Sequence, residues 1–155
     1  MLVLRVTDTS RVRDERGFTL IELMTVILIV GILVAIALPT LLGARVRAYD
    51  VAVKSDVRNA FAAEKAYYTD TLTYTTNPAT MTAIEAAITY VDGDTPLVTG
   101  VAYLHLHPLP NEIFVSGMSK SGTCFYLREI DGGGARFASD PACGVADTQA
   151  YVNSW

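Results

Sequence analysis

Cysteine and histidine are scarce in this chain, which has only two of each among 155 residues. A metal site formed by two cysteines alone is rare. The sequence also shows no nucleophile beside a base, no phosphate-binding glycine loop after a strand and no recognisable pair of catalytic carboxylates. We therefore expect a protein that is not an enzyme and that needs no cofactor.

Positive charge is scarce in the later part of the chain. Residues 50 to 155 carry six Lys and Arg against twelve Asp and Glu, whereas residues 1 to 17 carry four Arg against three acids. An acidic surface repels phosphate backbones, so nucleic acid is not indicated as a partner. The length allows one domain of ordinary size.

One long apolar run, from Phe18 to Leu42, contains Glu22 as its only ionisable side chain. About 20 residues suffice to cross a bilayer core of about 30 Å, and the apolar part of a signal peptide has only about 7 to 15. The run therefore predicts a transmembrane helix. Four arginines precede it: Arg5, Arg11, Arg13 and Arg16. Arg45, Arg47 and Lys54 follow soon after the run, so the excess of positive charge before it is modest, and this excess predicts a cytoplasmic N-terminus.

The run continues as an amphipathic pattern over residues 43–69. Apolar residues recur there at steps of three and four: Val46, Tyr49, Val53, Val57, Ala60, Phe61 and Tyr68. This spacing predicts one nearly continuous helix from residue 18 to about residue 69, apolar all round at first and striped later. Gly31 and Pro39 predict local bending or melting of that helix.

The sequence predicts that residues 70–155 form a globular head. A surface connection and a short helix, Thr82 to Ile88, are predicted first. Five strands are then predicted: Ile88–Asp92, Val98–His107, Glu112–Met118, Cys124–Ile130 and Ala135–Ser139. The short turns between them favour a small antiparallel sheet packed on the striped half of the long helix, and the fold class is α+β.

The segment Arg16-Gly17-Phe18-Thr19-Leu20-Ile21-Glu22 resembles the processing site of type IV prepilins and pseudopilins. The resemblance implies a leader, residues 1–17, that a prepilin peptidase removes after Gly17, and N-methylation of the new terminus at Phe18. It also implies that residues 18–42 serve for assembly as well as membrane anchoring.

Glu22 needs a partner, because a lone carboxylate in a membrane helix costs up to about 2.5 to 3.5 kcal/mol. Cleavage after Gly17 would place an amine at Phe18, one helical turn away. In the resembled family the partner is that amine on a neighbouring subunit, which sets the register of the filament. Pro39 falls where those pilins carry a helix-perturbing proline.

The resemblance also implies a cellular route and a set of partners. The precursor would cross the inner membrane once, and the mature chain would then enter an extracellular pilus as a homopolymer with related minor pilins. The prepilin peptidase and N-methyltransferase, the inner-membrane assembly platform and, before assembly, the lipid bilayer would be its other partners.

Cys124 and Cys143 are expected to form a disulfide if the head is exported, and two unrelated buried thiols are the alternative. The resemblance implies that this bond closes a C-terminal loop. His105 and His107 have metal-compatible spacing but no third ligand, so an ordinary strand face is preferred. Two acidic glycine-rich segments, residues 92–94 and 131–134, are interpreted as turns rather than calcium loops.

Two alternatives remain open. The first is a pseudopilin of a type II secretion system or a minor pilin. A cysteine-closed loop favours a true pilin, because many major pseudopilins lack that bond and carry calcium ligands. The second is a membrane-anchored extracellular binding domain that never polymerises.

Overall fold

A computed structural model describes residues 17–106, 111–130 and 134–155. The boundary between two compact units falls between Thr40 and Leu41. His107 and the glycine-rich segment from Asp131 to Gly133 lie outside the described residues.

The first helix, α1, spans Leu20–Thr71. It begins after Thr19 and continues through Gly31 and Pro39, so the melting that the sequence predicts at these residues does not occur here. The helix ends where Leu72 adopts a left-handed φ of 57° and donates its backbone N–H to the Tyr68 carbonyl at 2.8 Å. This is a common way to end a helix, although glycine usually occupies the position.

The short helix α2 spans Pro78–Ile84 and so begins four residues before the predicted Thr82. Asn77 caps it, because its Oδ1 accepts the backbone N–H of Ala79 at 3.0 Å. Pro78 occupies the first turn, where a missing N–H costs nothing. The Asn-Pro pair is a start signal that the sequence contains and that the prediction of a start at Thr82 did not use.

Five strands form one sheet in the order β1-β2-β3-β4-β5. Their bounds are Thr89–Asp92 for β1, Val101–Leu106 for β2, Glu112–Met118 for β3, Cys124–Ile130 for β4 and Arg136–Asp140 for β5. Strands β2 to β5 pair antiparallel, as the sequence predicts. A 3-10 helix, Ala146–Thr148, follows β5.

The pair β1-β2 is parallel, so the predicted antiparallel sheet contains one parallel pair. The breaker at Asp92-Gly93-Asp94 does not form a hairpin turn. Instead, the connection runs back to the level of Thr89, the first residue of β1, before β2 begins. Gly100, directly before β2, has a φ of 78°. The predicted start at Val98 is also too early, because the Val98 N–H donates to the Tyr103 hydroxyl at 3.1 Å rather than to a neighbouring strand.

The main core lies between the second half of α1 and one face of the sheet. The buried residues that α1 contributes are Val53, Val57, Ala60, Ala63 and Glu64. Gly117 on β3 allows the closest approach, since a Cβ there would stand 3.1 Å from Val53 Cγ1 and 3.2 Å from Val57 Cγ2. A smaller core on the opposite face contains Phe114, Cys124, Tyr126, Ala138 and Ala146.

Candidate processing and assembly site

The start of α1 is a capping box built from Thr19 and Glu22. Glu22 Oε2 accepts the backbone N–H of Thr19 at 2.9 Å and the Thr19 hydroxyl at 2.8 Å. In return, Thr19 Oγ1 accepts the backbone N–H of Glu22 at 3.3 Å. These reciprocal bonds satisfy donors that the first helical turn would otherwise leave unpaired. Gly17 and Phe18 precede the helix and carry no helical hydrogen bond of their own.

Thr19 is a site residue that was not predicted, whereas Glu22 was. The signal was present, because Thr-x-x-Glu before an apolar run is typical of a capping box. Among the described contacts, Thr19 uses only Oε2 of the carboxylate. The second oxygen, Oε1, therefore remains available for a cation.

The apolar side chains of the first part of α1 are exposed. Phe18 is 82% exposed and Ile36 is 68% exposed. The most apolar stretch of the helix has none of its residues buried, and it is long and apolar enough to cross a membrane. Side chains of this kind need lipid or another apolar surface around them.

Hydroxyl groups in this segment bond within the helix. Thr25 Oγ1 donates to the Ile21 carbonyl and Thr40 Oγ1 to the Ala37 carbonyl, both at 2.8 Å. The second bond lies beside Pro39, which lacks a backbone donor. These threonines therefore carry no unpaired hydroxyl proton on the apolar surface, which is compatible with a lipid environment.

The head carries a disulfide between Cys124 and Cys143, which confirms the predicted pairing. Asp140 organises the loop that the bond closes: its Oδ1 accepts the N–H of Ala142 and its Oδ2 that of Gly144, both at 2.8 Å. These backbone bonds, first that from Gly144, lower the pKa of Asp140. The Tyr126 hydroxyl donates to the Gly144 carbonyl at 2.7 Å. The loop is thus fixed to the sheet at several points.

Of the two histidines considered as metal ligands, the structure describes His105. His105 Nε2 lies 3.4 Å from Asp147 Oδ1 and its ring packs beside Phe114. Within residues 17–106, 111–130 and 134–155, no three His, Cys, Asp or Glu side chains are close enough to hold an ion. Gly93 donates its N–H to the Leu104 carbonyl, so the acidic segment from Asp92 to Asp94 belongs to the β1-β2 connection.

The described residues combine a long helix, apolar and exposed in its first part, with a head that contains a disulfide. Residues 12–38 match the family model described as the prokaryotic N-terminal methylation motif. The chain is 32% identical, over 92% of its length and 94% of the relative's, to the type IV wide pilus major component PilA4 of Thermus thermophilus. It therefore belongs to the type IV pilin family.

Two further relatives match shorter stretches. The type IV major pilin protein PilA of Myxococcus xanthus is 39% identical over 36% of this chain and 26% of its own length. The type II secretion system core protein G of Pseudomonas aeruginosa is 36% identical over 49% of this chain and 51% of its own. Pilins and pseudopilins are structural subunits, which confirms that this chain is not an enzyme.

Proposed function

We propose that this chain is the precursor of a pilus subunit. A prepilin peptidase removes residues 1–17 on the cytoplasmic side, and the new terminus at Phe18 is N-methylated. Before assembly, the mature protein spans the inner membrane once, with its head on the extracytoplasmic side. It then leaves the bilayer and polymerises through residues 18–42 into an extracellular filament.

The exposure of the apolar segment is the observation that carries this proposal. Its large apolar side chains are exposed, and Phe18 and Leu20 at its start are 82% and 76% exposed. Lipid satisfies these side chains before assembly, and copies of the same helix satisfy them afterwards. Related minor pilins and the membrane assembly platform are the other partners that this route requires.

Glu22 is proposed to set the register between neighbouring subunits. Within one chain Thr19 occupies Oε2, and Oε1 can accept the Phe18 amine of the next subunit. A carboxylate surrounded by apolar helices is costly unless it is paired, so wrongly aligned subunits are disfavoured. Pro39 is proposed to serve the same step by weakening the helix where subunits pack.

N-terminal mass spectrometry of fibres sheared from cells tests cleavage and methylation together. The expected mature chain begins with N-methylated Phe18. A major species that still carries residues 1–17, or that begins elsewhere, would contradict the assigned junction.

The register role is tested by separating the charge of Glu22 from its capping bonds. Glu22→Gln removes the charge but keeps an acceptor for the cap, whereas Thr19→Val removes the cap hydroxyl and keeps the carboxylate. We expect Glu22→Gln to be cleaved normally and to reduce sheared filament severely, and Thr19→Val to reduce it much less. The reverse order would show that helix capping, rather than charge pairing, governs assembly.

A pseudopilin of a type II secretion system is the second candidate. The match to core protein G covers half of that relative, whereas the match to the Thermus thermophilus pilin covers 94% of it. The Cys124–Cys143 bond favours a pilin further. A non-polymerising anchored domain would be indicated if cells lacking the peptidase left the protein's gel mobility unchanged.

A further inference from the structure

Two arginines lie directly opposite each other on the outer sheet face, the face away from α1. Arg128 on β4 and Arg136 on β5 are partners in the antiparallel register. Their chain neighbours Leu127 and Phe137 contact the main core, so both arginines project from the other side. Like charges at directly opposed positions destabilise a sheet. A second contribution must offset this repulsion.

The two arginines differ in their partners among the described residues. Arg128 forms an ion pair with Glu112, whose side chain is 1% exposed. Arg136 donates to the neutral side-chain oxygen of Asn153. Among the described residues, no carboxylate oxygen lies within ion-pair distance of Arg136. A guanidinium has five N–H donors, so Arg136 can bind an oxyanion in addition to Asn153.

The pair lines a half-open pocket of about 300 Å³ together with Ile130, Gly134 and Tyr151. Arg128 is held rigidly, since its guanidinium packs 5.5 Å from the Phe114 ring centre and 5.7 Å from that of Tyr151. The Tyr151 hydroxyl donates to the Ala146 carbonyl at 3.0 Å. Burial raises the pKa of Tyr151, so this residue adds no negative charge to the pocket.

We propose that Arg128 and Arg136 form a binding site for a small oxyanion, a carboxylate or a phosphoryl group. A guanidinium offers a planar fork of donors that matches such groups, and a fork fixed in advance loses less entropy on binding. An anion between the two forks would also remove their mutual repulsion. The oxyanion can come from a free solute or from an acidic side chain of another copy.

The test uses the full chain in detergent micelles, titrated with inorganic phosphate and with citrate by calorimetry and by NMR of the arginine Nε–H groups. We expect saturable binding that Arg136→Gln weakens at least about tenfold, the equivalent of one good charge-assisted contact. Arg136→Lys should restore it only in part, because lysine lacks the fork. Arg136 is the position to vary, because loss of Arg128 would leave the buried Glu112 without this ion pair.

Lys120→Gln is the matched control. It removes the same charge from a lysine that packs 5.8 Å from the Tyr49 ring centre, on the other side of the head from the pocket residues. The proposal is overturned if neither anion binds saturably, or if Lys120→Gln weakens binding as much as Arg136→Gln.

Sedimentation of the same variants identifies the source of the oxyanion. If Arg136→Gln and excess phosphate each reduce self-association, the ligand is an acid of another copy. If self-association is unchanged while phosphate binds, the ligand is a free anion. Binding is measured on unassembled protein, so the result is independent of whether the chain forms filaments.

Discussion

Glu64 lies on the buried side of α1, and its effect on the free energy of unfolding of the head should depend on pH. Its side chain is 0% exposed, and only Oε2 has a partner, the Thr75 backbone N–H at 3.3 Å. Glu64 Oε1 and the Tyr90 hydroxyl are buried without a hydrogen bond among the described residues. Burial raises the pKa of Glu64 to about 7, and the bond from Thr75 lowers it by less.

The sign of the effect follows from that shift. The folded head binds the Glu64 proton more tightly than the unfolded chain, whose carboxyl has a pKa of 4.5. The contribution of Glu64 to the free energy of unfolding is therefore most favourable below about pH 4.5. It becomes less favourable as the pH rises through about 7 and is constant above that. At about 1.4 kcal/mol per pKa unit, the ionised residue costs about 3 kcal/mol, most of it between pH 5 and pH 8.

Glu64→Gln should remove this dependence. At about pH 5 the variant should match the parent protein within about 1 kcal/mol, because a neutral acid and an amide differ by one buried donor. At about pH 8 it should be more stable by roughly 2 kcal/mol, the cost of the charge less the cost of that donor.

The chain provides its own probe for the assay. Trp155 is the only tryptophan, and it packs between Phe125 and Phe137 at centroid distances of 5.9 and 4.7 Å. Its fluorescence reports guanidinium unfolding of the head while detergent covers the apolar helix. Asp70→Asn, at an exposed position later on the same helix, is the control and should leave the pH profile unchanged. Parallel profiles for Glu64→Gln and the parent protein would refute the reasoning.

Three further substitutions test the head with the same fluorescence assay. Leu72→Gly should stabilise it by about 1 kcal/mol, because Leu72 has a φ of 57° and is 71% exposed; a loss of stability would show that the leucine side chain makes a needed contact. Gly117→Val should destabilise it by roughly 1 to 3 kcal/mol through collision with Val53 and Val57, and an unchanged midpoint would mean that the helix can move away. Cys143→Ser should cost about 3 kcal/mol, the loop entropy of a 19-residue separation, and reduction of the parent protein should match it.

The sequence predicted the features that depend on composition and local period. The apolar run, the striped continuation of α1, strands β3 and β4 and the cysteine pair all appear where expected. Each has a strong local signal, because helix and strand periods differ and only two cysteines are present.

The features that were missed depend on side-chain geometry or on long-range pairing. The parallel pairing of β1 with β2 requires the connection to pass back along the sheet, and no dipeptide encodes that. Arg128 lies opposite Arg136 because of the β4-β5 register. The sequence does not determine that register to within one residue, and a slip of one residue would pair different side chains. The caps at Thr19 and Asn77 are different, since their signals were present in the sequence and were overlooked.

The composition of α1 changes along its length, and this change separates a first part proposed for assembly from a second part that packs in the core of the head. The buried residues it contributes to the core begin at Val53, and no residue of the apolar run is among them. The stability of the head therefore should not depend on Glu22 or Thr19. Glu22→Gln should leave the Trp155 unfolding curve unchanged while it reduces filament yield. A shift of that curve would show that the assembly segment and the head fold together, and loss of filaments could then reflect misfolding rather than lost register.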